Sequence, residues 1–341
     1  MTRSRAWLAG GLALAATLAA AAGSLALGGF DPWRALSALV TGSLGSSTAV
    51  LSITLVRAVP LMLTGLAVAL AFRAGIWNIG AEGQLYAGAV AGVAVALSAP
   101  EGMPGWLLIP STLVVGGVAG AAWAAVPAVL RLRAGVGEVI TTILMNFVGI
   151  HLAAWMVHGP LQEARGVFPQ TDRIPEVARL PVMVPGSRLH LGFAIAVLLA
   201  LGLWAWQRST ASGFRVRAVG ASPGAARVAG RIDDERVLLR VFLASGAIAG
   251  LAGVVQVTGV TFALYEDFSP DWGYTAIAVA LLAGLHPVGV LVSGALFGAL
   301  EGGAGAMQRE AGVPAGWVQA VEALAILSIL AVNRFLARRE T

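Results

Sequence analysis

The stretch FRAGIWNIGAEGQ, residues 72–84, decides how the rest of the chain is interpreted. It joins two long apolar runs, residues 50–71 and 85–99, of the kind that cross membranes as helices. Between these runs it carries four polar side chains, those of Arg73, Asn78, Glu82 and Gln84. Ionisable groups at membrane depth cost roughly 2.5 to 3.5 kcal/mol each, so they need partners or a function. The alternative is a hairpin in water, with Glu82 and Gln84 solvated.

The local conformation of this stretch has two possible forms. If it is helical, Asn78 and Glu82 share a face, because they are four residues apart. Its glycines, Gly75, Gly80 and Gly83, also allow the helix to break or another backbone to approach closely.

Composition points to an all-α integral membrane protein. The chain is 58% hydrophobic and 11% charged, with a mean hydropathy of +0.83, whereas soluble domains are about 25% charged. Every basic residue is arginine, which excludes a P-loop and a lysine Schiff base. The absence of cysteine excludes disulfides and thiolate metal sites, and the scattered histidines form no HExxH motif.

The apolar runs predict about ten transmembrane helices in one domain, residues 1–341, with spans and loops between 6 and 335. The first run is longer than the 7 to 15 residues usual in a signal peptide, so we expect an uncleaved span. We expect Asp31–Ser47 to form a short connector at the membrane interface. The predicted spans are Ala6–Leu27, Thr48–Phe72, Ala81–Leu97, Trp106–Leu130, Val136–Val157, Leu191–Trp206, Val237–Val260, Tyr274–Leu285, Val288–Met307 and Trp317–Val332.

The distribution of arginine predicts the orientation. With both termini inside, as an even number of spans requires, fifteen of the 22 basic residues fall on the cytoplasmic side, which satisfies the positive-inside rule. The segment Arg208–Arg240, with seven arginines, then faces the cytoplasm. The proline-rich segment His158–His190 faces out and reads as an ordered loop.

The predicted fifth span carries a polar stripe. Glu138, Thr142 and Asn146 recur every four residues on an otherwise apolar helix. Such a stripe faces other helices or a water-filled path, not lipid. Interhelical hydrogen bonding that only holds the bundle together explains the pattern equally well.

The Arg208–Arg240 segment contains a helix-start signal at Ser222-Pro223. We expect a short helix from Pro223 to Ala229, ended by Gly230. Its small side chains leave a surface that another protein could grip. The simpler reading is a solvated basic loop that only fixes topology.

Four motifs in order resemble one family: FRAGIWNIGAEGQ, EVITTILMNF, GFRVRAVGASPGAARVAG and GYTAIAVALLAGLHPVG. Together they are similar to permease subunits of ATP-binding-cassette importers, in the group that includes ribose, galactose and branched-chain amino-acid permeases. Within this group they look most like bacterial nucleoside and simple-sugar permeases. The resemblance covers about residues 48 to 335.

The resemblance implies a type II-like permease bundle in the bacterial cytoplasmic (inner) membrane. The same resemblance implies that the permease works in pairs, as a homodimer or heterodimer. It also implies that an ATPase would dock on the cytoplasmic face and bind the ATP, so that the permease would be no enzyme and have no cofactor. An extracytoplasmic binding protein would deliver the substrate. The coupling loop is residues 208–236, and the residues implied in ATPase coupling are Pro223, Ala225, Ala226, Arg227, Ala229 and Gly230.

Nucleosides are the expected substrate, with a simple sugar such as ribose or galactose second. A neutral solute with hydroxyls and a flat base favours amides, hydroxyls and aromatic rings along its path. The candidate pathway residues are Asn78, Glu82, Gln84, Glu138, Thr142, Asn146, Gln256 and Tyr274.

Two other functions remain open from the residues alone. An ion- or proton-coupled secondary transporter would use intramembrane carboxylates such as Glu82, Glu138, Glu301 and Glu322. An integral-membrane enzyme would need a catalytic constellation, and no His/Asp/Glu cluster of metal spacing is visible.

Overall fold

The computed structural model describes residues 19–230 and 232–314, together with five isolated positions between 317 and 327. The described residues form helices, loops and two isolated β-bridges, and no strand. Residues 19–27 are helical. The helices that follow are α1 (Pro32–Leu44), α2 (Ser47–Arg73), α3 (Ala81–Leu97), α4 (Gly105–Ala134), α5 (Glu138–His158), α6 (Gly192–Ser209), α7 (Ala211–Ala221), α8 (Pro223–Gly230), α9 (Asp234–Thr261), α10 (Trp272–Leu282) and α11 (Pro287–Ala311).

Six of the described helices are long and apolar enough to cross a membrane, namely α2, α4, α5, α6, α9 and α11. The helices at the predicted third and eighth spans, α3 and α10, are apolar but shorter. The predicted first span lies largely outside the described residues, and the tenth, Trp317–Val332, lies outside them except for isolated positions. The helical membrane protein is therefore confirmed, whereas a total of about ten spans is not.

The chain divides into two compact units. One comprises the described residues up to Ala58 and from Ala295 onward. In this unit Asp31 begins α1, because its carboxylate accepts hydrogen bonds from the backbone N–H groups of Trp33 (2.9 Å) and Arg34 (3.2 Å). The predicted interfacial connector is therefore a capped helix.

The second unit, Val59–Gly294, is built around contacts between glycines of α3, α4 and α9. A Cβ atom added at Gly250 of α9 would lie 2.8 Å from the Cα atom of Gly120 in α4. Gly88 of α3 also lies directly against the backbone of Gly250. Backbones approach this closely only where side chains are absent, as is common between membrane helices.

Burial separates inner from outer helices in this unit. α3 is buried on nearly all sides, as expected for a helix that is apolar all round and surrounded by others. α4, α5 and α6 keep most of their apolar surface exposed. Their large exposed side chains include Val114, Ile140, Leu144, Phe147 and Leu198. These faces are suited to lipid.

The proline-rich segment between α5 and α6 is tied to the chain that follows α9. The backbone N–H groups of Thr171 and Ile174 donate to the carbonyls of Leu264 (2.8 Å) and Phe262 (2.9 Å). These bonds satisfy backbone groups that have no partner in a helix or strand, so the loop is ordered.

Substitution of Gly250 by Ala is expected to destabilise the protein by about 1–3 kcal/mol, because the added methyl group overpacks the contact with α4. The measurement is the melting temperature of the purified protein in detergent. Gly202→Ala in α6 is the matched control, since no atom lies within 4 Å of its added Cβ. A Gly250→Ala protein that melts with the wild type would refute this packing account.

Candidate functional site

Residues 74–80 interrupt the helical structure between α2 and α3, and we call this segment the break. Gly75 turns the backbone with a positive φ of 74°, a conformation that favours glycine. Residues 76–79 are irregular, and α3 begins at Ala81. Asn78 therefore precedes the helix, so of the two possible forms the structure has the interrupted one, in which Asn78 and Glu82 do not share a helical face.

Asn78 is completely buried, and its hydrogen bonds fix the conformation of the break. Its side-chain N–H₂ group donates to the Ser245 hydroxyl of α9 (2.9 Å) and to Gln84 Oε1 (3.2 Å). Its Oδ1 accepts from Gln84 Nε2 and from the backbone N–H of Gly80, both at 3.0 Å. The Ser245 hydroxyl in turn donates to the carbonyl of Ala67 in α2 (2.8 Å). One amide thus connects α2, α3 and α9.

Asn146 of α5 pairs with the backbone of the break from the other side. Its Oδ1 accepts from the N–H of Gly83, and its Nδ2 donates to the carbonyl of Ile79, both at 2.8 Å. Thr142, one turn earlier, accepts from the N–H of Ile79 (3.3 Å). The polar stripe of α5 therefore faces the break, where it satisfies backbone groups that have no helical partner.

Glu82, in the first turn of α3, is 1% exposed. Its side chain lies against the N-terminus of α10. Its Oε2 accepts from the backbone N–H of Gly273 at 2.5 Å. A carboxylate at a helix N-terminus pairs with free N–H groups and with the positive end of the helix dipole. Glu82 therefore connects α3 to α10.

Glu138 lies at the edge of this arrangement. It forms an ion pair with Arg131 at the end of α4, and it accepts from the backbone N–H of Trp77 (3.4 Å). The pair fixes the turn between α4 and α5 against the irregular residues of the break.

The other two candidate pathway residues differ in position. Tyr274 of α10 is partly exposed and lies beside Asn146. Gln256 is buried but follows Ser245 by eleven residues in α9, which is about 16 Å along the helix. The structure therefore gathers seven of the eight candidate residues around the break and leaves Gln256 apart.

Sequence reasoning missed Ser245, Gly273 and Gly220. The available signal for Ser245 was a hydroxyl within an apolar, glycine-rich span, which usually finds a partner on another helix. Gly273 contributes only its backbone N–H group, which carries no signal in the sequence. Gly220 of α7 lies directly against the carbonyl of Arg73, where an added Cβ would collide.

α8 has the bounds predicted from the sequence within one residue. Ala226 faces inward, in a small apolar cluster with Val219 and Ile232. Arg227 is bound to Asp234 at the start of α9, with Nη2 2.6 Å from Oδ2. Val228, by contrast, is 84% exposed. Of the other implied coupling residues, Pro223 and Ala225 are exposed, while the side-chain environments of Ala229 and Gly230 lie outside the described part.

Helix α7 joins this exposed helix to the break. The backbone of α7 at Gly220 rests on Arg73, and Gly220 Cα is 3.5 Å from a Cβ built at Gly75. A displacement of α7 and α8 would therefore act on the end of α2 and on the turn that starts the break.

Residues 50–330 match the family described as branched-chain amino acid transport system / permease component. The chain is similar to the glucose ABC transporter permease protein TsgB13 of Haloferax volcanii, with 38% identity over 97% of this chain and 89% of that protein. It is also similar to the guanosine ABC transporter permease protein NupP of Bacillus subtilis, with 36% identity over 93% and 91% of the two chains. The nucleoside ABC transporter permease protein NupB of Lactococcus lactis is 34% identical over 89% and 85%. No solved structure matches significantly.

Asn146→Leu is expected to lower the melting temperature, because the buried Gly83 N–H and the partly buried Ile79 carbonyl lose their partner, at up to about 1–3 kcal/mol each. Thr141→Val is the matched control, since among the described residues the Thr141 hydroxyl donates only to the carbonyls of Gly137 and Glu138, in the preceding turn of the same segment. Unchanged melting of Asn146→Leu combined with reduced transport would contradict the structural role and place this side chain in a solute path.

Proposed function

The chain belongs to the branched-chain amino acid transport system permease family, and from that premise we propose that it carries nucleosides as the permease subunit of an ATP-driven ABC importer. A family of this kind supplies the membrane path, and a separate subunit hydrolyses ATP. The observation that carries the proposal is the short exposed helix α8, held outside the spans and packed through α7 onto the break.

The nucleoside assignment draws on two relatives named for guanosine and nucleoside transport. It is also consistent with the chemistry around the break, where amides, hydroxyls and the Tyr274 ring predominate. A simple sugar is the second candidate, supported by the relative named for glucose. Both solutes are neutral and rich in hydroxyls, so the same polar surface suits either.

The proposed orientation places both termini, α7 and α8 in the cytoplasm of a bacterial cell, with the permease in the inner membrane. Arginine density around α7 and α8 supports this orientation by the positive-inside rule. The proposed partners are a cytoplasmic ATPase on α8, a second permease subunit, and an extracytoplasmic binding protein near the proline-rich loop.

ATPase docking on α8 is supported by the exposure of Val228. Val228 is 84% exposed on the short helix between the spans α6 and α9, so its side chain is accessible to a partner protein. Ala226 is proposed to act differently, by seating α8 on Val219 and Ile232. Pro223, Ala225 and Arg227 complete the proposed surface and its support.

The candidate pathway residues are proposed to border the solute path and to hold its walls together. Six of them are buried, whereas Glu138 and Tyr274 are partly exposed. Tyr274 is therefore the proposed point of contact with solute. The amide network behind it fixes the relative positions of α3, α5, α9 and α10.

A secondary transporter is less well supported. Such a protein needs a carboxylate that is free to exchange an ion or a proton. Glu82 accepts from Gly273, Glu138 pairs with Arg131, and Glu301 lies 4.0 Å from Arg57. The fourth candidate, Glu322, lies outside the described residues.

Val228→Asp is expected to reduce co-purification of the ATPase with the permease at least about tenfold, because it places a charge in an apolar contact. The exposed Val167→Asp, in the proline-rich loop, is the control and should leave co-purification unchanged. Retention of the ATPase at the wild-type level by Val228→Asp would remove α8 as the docking helix.

Deletion of the gene is expected to abolish uptake of radiolabelled guanosine by intact cells, and the wild-type gene on a plasmid is expected to restore it. Labelled ribose, galactose and glucose are measured in parallel. If guanosine uptake is unchanged while uptake of one sugar falls, the nucleoside assignment is wrong and the sugar assignment replaces it.

A further inference from the structure

A cavity of about 410 Å³ lies where α7 and the start of α9 meet the ends of α2 and α6. Its wall includes three arginines, Arg215 of α7 and both Arg236 and Arg240 of α9. This cavity is separate from the break, and none of the candidate pathway or coupling residues lines it. Neither the solute path nor ATPase docking therefore explains the three arginines in its wall.

The charge in the cavity is not balanced within the described part of the chain. The acidic residue in its wall, Asp233, pairs with Arg236 at 2.8 Å. Asp233 also caps α9 by accepting from the backbone N–H of Arg236 (3.0 Å). Arg215 and Arg240 have no carboxylate within 4.0 Å among the described residues. Two guanidinium groups thus remain for an anion.

The other wall of the cavity is apolar and comes from the spans. Leu70 of α2 and Val241 and Ala244 of α9 line it. Trp206, near the end of α6, also lines it and donates its indole N–H to Ser212 Oγ (2.8 Å). Tryptophan with one polar edge is typical of the membrane–water interface, so the cavity lies at that level.

We propose that this cavity binds the phosphate headgroup of an anionic phospholipid from the leaflet on the α7–α8 side. Guanidinium groups bind phosphate with paired hydrogen bonds, and basic pockets between membrane helices on the cytoplasmic side suit anionic headgroups. The apolar wall gives the acyl chain a surface to follow, which a soluble phosphate does not need. A lipid therefore satisfies both halves of the cavity.

A lipid in this position would join α7 to α9. Arg215 lies on the helix that rests on Arg73, and Arg240 lies on the helix that carries Ser245. A bound headgroup would hold these two helices together at the base of α8. The lipid composition of the leaflet would then regulate how firmly α7 and α8 are attached to α9. This inference rests on the proposed orientation only for the choice of leaflet.

The test is native mass spectrometry of the full-length permease, co-expressed with its partner subunits, delipidated and titrated with phosphatidylglycerol or phosphatidylcholine. Arg240→Gln is expected to weaken phosphatidylglycerol binding about fivefold, as for the loss of one arginine beside an anionic headgroup. Arg133→Gln, which removes one charge from an exposed arginine at the end of α4, is the control. Ala244→Phe keeps every charge, fills the apolar wall and should also weaken binding.

Selective binding of phosphatidylglycerol that falls in Arg240→Gln and Ala244→Phe, but not in Arg133→Gln, supports the proposal. Equal effects of Arg240→Gln and Arg133→Gln would overturn it, because the lipid would then be an unspecific annulus. Direct binding of inorganic phosphate that depends on Arg240, without selectivity among lipids, would also overturn it. None of these readouts depends on which solute is transported.

Discussion

The hydrogen bonds of Asn78 are the interaction on which the connection between α2, α3 and α9 depends. This buried amide lies in an irregular segment between two apolar helices and donates to Ser245, which itself donates to the carbonyl of Ala67. Without these bonds the chain between α2 and α3 would expose polar groups to an apolar interior. Each such group costs about 1–3 kcal/mol when it is left without a partner.

The break is therefore a cost that the surrounding helices offset together. Asn146 satisfies the backbone at Ile79 and Gly83, and Glu82 satisfies the start of α10. The segment consequently acts as one connection among α2, α3, α5, α9 and α10. Because Gly220 packs against the Arg73 backbone just before the break, a movement of α7 and α8 would act directly on that connection.

Much of this arrangement could be predicted from the sequence because it is encoded locally. Among the described residues, apolar runs located the six long helices, α3 and α10 to within a few residues. Ser222-Pro223 located the start of α8, and the four-residue spacing of Glu138, Thr142 and Asn146 identified the face of α5 that meets the break. The partners were beyond such reasoning. Asn78 and Ser245 are 167 residues apart, and Glu82 and Gly273 are 191 apart, so only the packing of glycine-lined helices brings them together.

The most direct test of this account is a double-mutant cycle on the melting free energy for Asn78→Ala and Ser245→Ala. If their hydrogen bond closes the break, the double variant loses less stability than the sum of the two single variants, by about 0.5–1.5 kcal/mol. Strictly additive losses would contradict the account, because they would show that the two side chains stabilise the protein independently.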